Sequence, residues 1–204
     1  MGKSRDIAKE LLDIKAVQIS PADYFTWTSG IKSPIYCDNR LTMSDPGVRT
    51  KIADAFIEQI EQLGWMPDVI AGCATAGIPH AAWLAGKLNL PLVYVRSKPK
   101  GHGKENQIEG RVEAGQKVVV IEDLISTGGS SIEAANVLKQ EDANVLGVLA
   151  IFTYGLRVAE QRFCEAQLAY RTITDYNEVL ALLADDGMIS REVQKDLAEW
   201  RHNV

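Results

Sequence analysis

Two adjacent acids, Glu122 and Asp123, close the apolar run Val118 to Ile121 and are followed by a turn of hydroxyls and glycines, Ser126-Thr127-Gly128-Gly129-Ser130. Beyond the turn a helical pattern begins. The start of a helix offers free backbone N–H groups and a partial positive charge, which together attract phosphate. Gly128 and Gly129 let a ligand approach the backbone closely, and Ser126, Thr127 and Ser130 add hydroxyl donors. Carboxylates repel phosphate, but they accept hydrogen bonds from a pair of sugar hydroxyls. A ligand with a diol and a phosphate, such as a ribose 5-phosphate, satisfies both halves. The turn lacks the lysine of the GxxxxGK[ST] loop and is not a GxGxxG fingerprint. The plainer alternative has Ser130 or Thr127 capping the helix while the acids are solvated. Two acids placed directly after a buried strand argue against it.

A second stretch, "YVRSKPKGHGKENQIEG" (94–110), carries basic groups at every second position: Arg96, Lys98, Lys100, His102 and Lys104. In an extended chain that period places them on one side. With glycines at 101, 103 and 110, residues 96–110 form a candidate mobile lid for an anion. A solvated basic loop is the alternative. Strict alternation in a chain of net charge −5 favours the lid.

These groups need a scaffold, and the apolar pattern supplies one. A helix is expected over 4–15, then two short strands about a Ser-Gly turn within 24–40. Ser44 or Asp45 caps a long helix that has Pro46 in its first turn and ends near Gly64. Strands at 68–72, 90–95, 117–123, 143–154 and 167–173 alternate with helices at 77–88 and 130–139. Two further helices start at Asp175 and Ser190. Continuous apolar strands between amphipathic helices predict an α/β fold with a mostly parallel five-stranded sheet flanked by helices. Residues 1–45 break the rhythm and are expected as a small N-terminal subdomain beside a core of 46–204. In such sheets ligands bind at the carboxyl ends of the strands, where Glu122 and Asp123 fall.

The chain has 204 residues, 46% of them hydrophobic and 24% charged, the balance of a globular domain. Its negative charge argues against a broad nucleic-acid surface. No apolar run reaches the ~20 residues of a membrane span. The first fifteen residues alternate charged and apolar groups at helical spacing, unlike a signal peptide, and Arg5 breaks the myristoylation pattern. Cys37, Cys73 and Cys164 have no zinc or disulfide spacing and read as reduced thiols of a cytoplasmic protein. His80 and His202 read as structural or solvated groups. The four tryptophans read as packing residues, with Trp27 close to a candidate ligand segment.

"VVVIEDLISTGGS" resembles the phosphoribosyl pyrophosphate signature of the type I phosphoribosyltransferases. The resemblance implies that fold, with residues 1–45 as its hood, and a phosphoribosyl pyrophosphate site formed by Glu122, Asp123, Leu124, Ile125 and the 126–130 loop. The acids take the ribose hydroxyls and the loop takes the 5-phosphate. "RSKPKGHG" resembles the catalytic loop of the orotate phosphoribosyltransferases, which implies that Arg96, Lys100 and His102 line pyrophosphate, with Lys100, His102 and Asp123 catalytic. It also implies a homodimer in which the lid reaches the neighbouring site. "FTWTSGIKSPIYCDNR" (25–40) is similar to the orotate-side segment, with Ser126, Lys32 and Tyr36 as candidate orotate contacts. "AGCATAGIPHAAWLA" (71–85) is similar to the turn flanking pyrophosphate. Lysines that some members carry are replaced here by Thr28, Ala76 and Ser97, with Lys98 one step beyond the last. The implied cofactor is Mg2+, held by substrate and water and not by protein ligands. The implied reaction converts orotate to orotidine 5′-phosphate. A purine-type phosphoribosyltransferase and a non-catalytic sensor of phosphoribosyl pyrophosphate share the opening motif, but neither needs the lid.

Overall fold

A computed structural model of the chain describes residues 2–27, 30–98 and 107–201. Thr28, Lys100, His102, Lys104 and His202 lie outside the described residues. Helix α1 (Lys3–Asp13) is followed by four short strands, β1 (Val17–Ile19), β2 (Phe25–Thr26), β3 (Lys32–Ser33) and β4 (Ile35–Cys37), and by a 3-10 helix over Asn39–Ser44. Helix α2 (Pro46–Gln62) opens the alternating part of the chain. It continues through β5 (Val69–Cys73), α3 (Gly77–Leu88), β6 (Leu92–Val95), β7 (Ile108–Glu109), β8 (Lys117–Ile125), α4 (Gly129–Gln140) and β9 (Asn144–Thr153). Helix α5 (Arg157–Glu165), β10 (Tyr170–Asp175), α6 (Tyr176–Asp185) and α7 (Arg191–Trp200) complete it. Asp45 caps α2, accepting from the backbone N–H groups of Gly47 and Val48, with Pro46 at the first helical position.

The central sheet runs β10-β9-β8-β5-β6-β7. Its first five strands are parallel, as the apolar runs predict, and the register places Val69 beside Val118 and Val119 beside Gly147. The sixth strand is a difference from the five expected. Ile108–Glu109 pairs antiparallel with β6, Tyr94 opposite Glu109 and Val95 opposite Ile108. Two residues are too few to show alternation, so only pairing with β6 defines this strand. It anchors the carboxyl end of the 96–110 stretch to the sheet. Two small antiparallel sheets, β1–β4 and β2–β3, stand apart from the central one.

Side chains on β8 alternate between two apolar layers, as a strand buried on both faces requires. Val118 and Val120 pack with Ala134 and Leu138 of α4 and Phe163 of α5. Val119 and Ile121 face the other layer, with Leu11 of α1, Phe56 of α2, Leu84 of α3 and Tyr176 of α6. Helix α3 lies very close to the sheet because two glycines remove the obstacle. A Cβ on Gly72 would stand 2.8 Å from Ile78 Cα, and one on Gly77 would stand 2.4 Å from the Ile121 carbonyl oxygen. Among the described residues no helix is long and apolar enough to cross a membrane.

Candidate active site

Strand β8 runs two residues beyond its expected end, because Leu124 and Ile125 still pair with Phe152 and Thr153 of β9. Glu122 and Asp123 therefore sit within the last turn of the ladder and not just after it. Glu122 is 5% exposed, and its Oε2 accepts from Ser130 Oγ at 2.8 Å. The other oxygen, Oε1, accepts from the Asp123 backbone N–H at 3.1 Å. Ser130 is thus engaged with the acid, and no side chain caps α4. That outcome sets aside the capping alternative and leaves the first N–H groups of α4 beside the 126–130 turn for an anion. Gly128, at φ +78, makes the turn possible, and a Cβ there would stand 2.8 Å from the Phe163 ring.

Burial pushes the Glu122 carboxyl up from the ordinary range, and the Asp123 charge adds to it, while the Ser130 hydroxyl opposes. Asp123 is raised as well, first by burial. Two carboxylates kept side by side in a mostly dry setting are poised for hydroxyl donors. Asp123 is the more open of the two.

A cleft of about 670 Å3 opens at these carboxyl ends. Asp38, Arg40, Glu122, Asp123 and the 74–76 turn line it. A second cleft, of about 730 Å3, lies on the other side of Cys37 and Leu124, which border both. Trp27, Tyr36 and Tyr154 wall it, with Ser126 at its edge. Trp27 stacks on Tyr154 with ring centroids 4.7 Å apart. One site is therefore acid-lined, and its neighbour is walled by aromatic rings. Burial raises the thiols of Cys37 and Cys73 well above their usual range, so both are neutral and unsuited to nucleophilic attack.

A family model described as "Phosphoribosyl transferase domain" matches residues 44–179. The orotate phosphoribosyltransferase of Oceanobacillus iheyensis is 60% identical over 98% of this chain and 100% of its own length. The chain belongs to the orotate phosphoribosyltransferase family. A Staphylococcus aureus orotate phosphoribosyltransferase is 57% identical over 98% of this chain and 99% of its own. The crystal structure of orotate phosphoribosyltransferase from Aeropyrum pernix has the same fold, with a TM-score of 0.77 at 29% identity, covering 90% of this chain and 99% of that one. The chain is accordingly a transferase.

Within this orotate phosphoribosyltransferase fold the sequence-predicted residues are divided between the two clefts and their surroundings. Glu122, Asp123, Leu124 and Ser130 line the acid cleft. Ser126 and Tyr36 line the aromatic slot. Ile125 has its side chain in the core, and its carbonyl accepts from Thr153 Oγ1 at 2.9 Å. The Thr127 carbonyl accepts from Arg162 Nη1 at 3.3 Å. Lys32 lines neither cleft; its Nζ donates to Thr26 Oγ1 at 2.8 Å. Arg96 is not in the acid-cleft lining but borders a small adjoining cavity with Ala74 and Ser130, which do line the cleft, and its Nη1 is 3.5 Å from Glu109 Oε1. Lys100 and His102 lie outside the described residues.

Sequence reasoning missed the 3-10 segment over Asn39–Ser44. Asn39, 1% exposed, donates from Nδ2 to the Asp123 carbonyl at 2.6 Å, and Asp38 and Arg40 line the cleft beside it. The "DNR" polar run was the available signal, but nothing local ties it to a strand end more than eighty residues away. His80 packs behind this segment, its Nε2 3.3 Å from Thr42 Oγ1. Burial lowers it to about 4, so it is neutral at physiological pH.

Proposed function

We propose that this cleft pair transfers the 5-phosphoribosyl group from phosphoribosyl pyrophosphate to orotate, releasing orotidine 5′-phosphate and pyrophosphate, as a step of pyrimidine biosynthesis. The observation that carries the reading is the acid pair, buried Glu122 and half-buried Asp123, beside the uncapped start of α4. Glu122 and Asp123 accept from the ribose hydroxyls and stabilise the positive charge that grows on the ring as the C1–O bond breaks. The 126–130 turn holds the 5-phosphate with backbone N–H groups and hydroxyls. Orotate lies in the aromatic slot against Tyr36, with Ser126 reaching both substrates. Lys32 is one strand away, a cation on the orotate side.

The chemistry needs no protein nucleophile, only alignment, charge neutralisation and exclusion of water. Lys100, His102 and Arg96 supply cations to pyrophosphate from the lid of a neighbouring subunit, which makes the working unit a homodimer. His102 serves as a hydrogen-bond donor, since pyrophosphate leaves readily once its charge is met. Residues 1–45 act as the hood over orotate, and 46–204 as the transferase core. The protein works in the cytoplasm, without nucleic acid or membrane.

Mg2+ fits this site as an ion brought in by the substrate. Among the described residues no group of three or more His, Cys, Asp or Glu could hold a metal, and Mg2+ retains water and prefers phosphate oxygens. When bound it neutralises charge on the leaving diphosphate.

A panel of orotate, uracil, adenine, guanine and xanthine, each with phosphoribosyl pyrophosphate and Mg2+, tests the reading. Loss of orotate absorbance alone is expected; consumption of a purine in its place overturns it. Lys100→Ala is expected to lower turnover about a hundredfold, with substrate binding less affected. Unchanged turnover removes Lys100 from the mechanism.

A further inference from the structure

The acid cleft has a charge imbalance that its proposed ligand does not relieve. Asp38, Glu122 and Asp123 bring three carboxylates to the lining, whereas phosphoribosyl pyrophosphate is itself polyanionic. Among the described lining residues Arg40 is the only cation. Ala76, in the same lining, offers none.

Arg40 is held in an orientation that suits an anion. Asp38 Oδ1 accepts from the Arg40 backbone N–H at 3.2 Å and from its Nε at 2.6 Å, while Oδ2 accepts from Nη2 at 2.9 Å. The carboxylate therefore grips one edge of the guanidinium. The opposite edge, with Nη1, has no hydrogen-bond partner among the described residues. Arginine presents its donors in a rigid planar fork that matches phosphate oxygens two at a time. The Arg40 side chain is 62% exposed, and ion pairs that open contribute little to stability. The effect of this pair is to aim the fork.

The segment beneath is fixed on both sides. Asn39 ties it to β8 through the Asp123 carbonyl, and Thr42 meets His80 of α3. Arg40 thus has a set position in the lining that it shares with the acids and the 74–76 turn. On the proposed reading of the cleft, the 5-phosphate is left to the 126–130 turn.

We propose that Arg40 is a substrate-binding residue whose open guanidinium edge takes the diphosphate of phosphoribosyl pyrophosphate, with Asp38 as its positioning partner. The assignment rests on the reading of the cleft as a phosphoribosyl pyrophosphate site and adds a group outside the lid that meets the leaving half.

Calorimetry on the full-length protein with Mg2+, titrating pyrophosphate and ribose 5-phosphate separately, tests it on Arg40→Gln and Arg40→Lys. Arg40→Gln is expected to weaken pyrophosphate about tenfold, the loss of one charge-assisted contact. Ribose 5-phosphate affinity and the KM for orotate should stay within about twofold, while the KM for phosphoribosyl pyrophosphate rises with the pyrophosphate loss. Arg40→Lys should fall between, keeping the charge without the fork. Its melting temperature should match the parent, since the pair is exposed. Unchanged pyrophosphate affinity in Arg40→Gln overturns the inference, as does an equal loss for ribose 5-phosphate. The calorimetric result is independent of turnover. A parent protein that fails to consume orotate defeats the functional reading, whereas a Gln variant equal to an active parent defeats only this one.

Discussion

Replacing both acids at the end of β8, Glu122→Gln together with Asp123→Asn, is expected to lower kcat/KM about a thousandfold and to stabilise the free protein at alkaline pH. The two effects have one cause. Each carboxylate is proposed to accept a hydroxyl of the ribose, and a hydrogen bond to a charged group is worth about 1.5–3 kcal/mol. Two such losses come to roughly the 4 kcal/mol that a thousandfold represents. In the absence of ligand the same charges are a burden, because burial raises both groups above the ordinary carboxylate range. A carboxyl whose folded pKa exceeds its unfolded value contributes its stability in the protonated form. That contribution is complete below the unfolded pKa and is lost as pH rises through the folded one. Each unit of elevation corresponds to about 1.4 kcal/mol. The parent should therefore lose stability from acid toward alkaline pH through this pair, and the amide variant should show a flatter profile. The amide is nearly isosteric, and its oxygen can still accept from Ser130. Urea unfolding midpoints across that range, read beside initial rates, check both halves. Full activity in the variant, or an unchanged pH slope, defeats the argument. On the proposed reading, the pair's stability cost is offset by the hydrogen bonds its charge makes to the ligand.

How far this was legible in advance varies with the range of the forces involved. The five parallel strands, the α2 start at Pro46 and the helix after the Ser/Gly turn follow from apolar periodicity and local turn chemistry. Strand β7 does not, since two residues carry no pattern and only β6 defines them. The continuation of β8 through Ile125 is likewise set by its neighbour β9. Glu122 and Asp123 were readable because type, adjacency and position coincide in one short motif. Asp38, Asn39 and Arg40 were not, because their partners come from β8 and α3. Tyr154 was missed for the same reason: its stacking on Trp27 joins residues distant in the chain. Local chemistry was visible in the sequence, and juxtapositions across the sheet were not.

Gly77 supports the second large prediction, and it concerns backbone packing instead of charge. A methyl group there would stand 2.4 Å from the Ile121 carbonyl oxygen and 3.3 Å from Glu122 Cα. Both atoms belong to a central strand hydrogen-bonded on each side, so β8 cannot yield. The first turn of α3 must lift instead, carrying the 74–76 turn that lines the acid cleft. Overpacking of this kind costs about 3 kcal/mol, which for a chain of this size lowers the melting temperature by about 6–12 °C. Pyrophosphate affinity should fall with it. The same substitution nine residues along the helix has the opposite sign. A Cβ on Gly86 would meet nothing within 4 Å, and alanine favours an exposed helix interior over glycine by about 0.5–1 kcal/mol. Thermal melts of Gly77→Ala and Gly86→Ala should therefore move in opposite directions from the parent. If the two shift alike, helix propensity governs α3, and its close approach to β8 is not what positions the cleft wall.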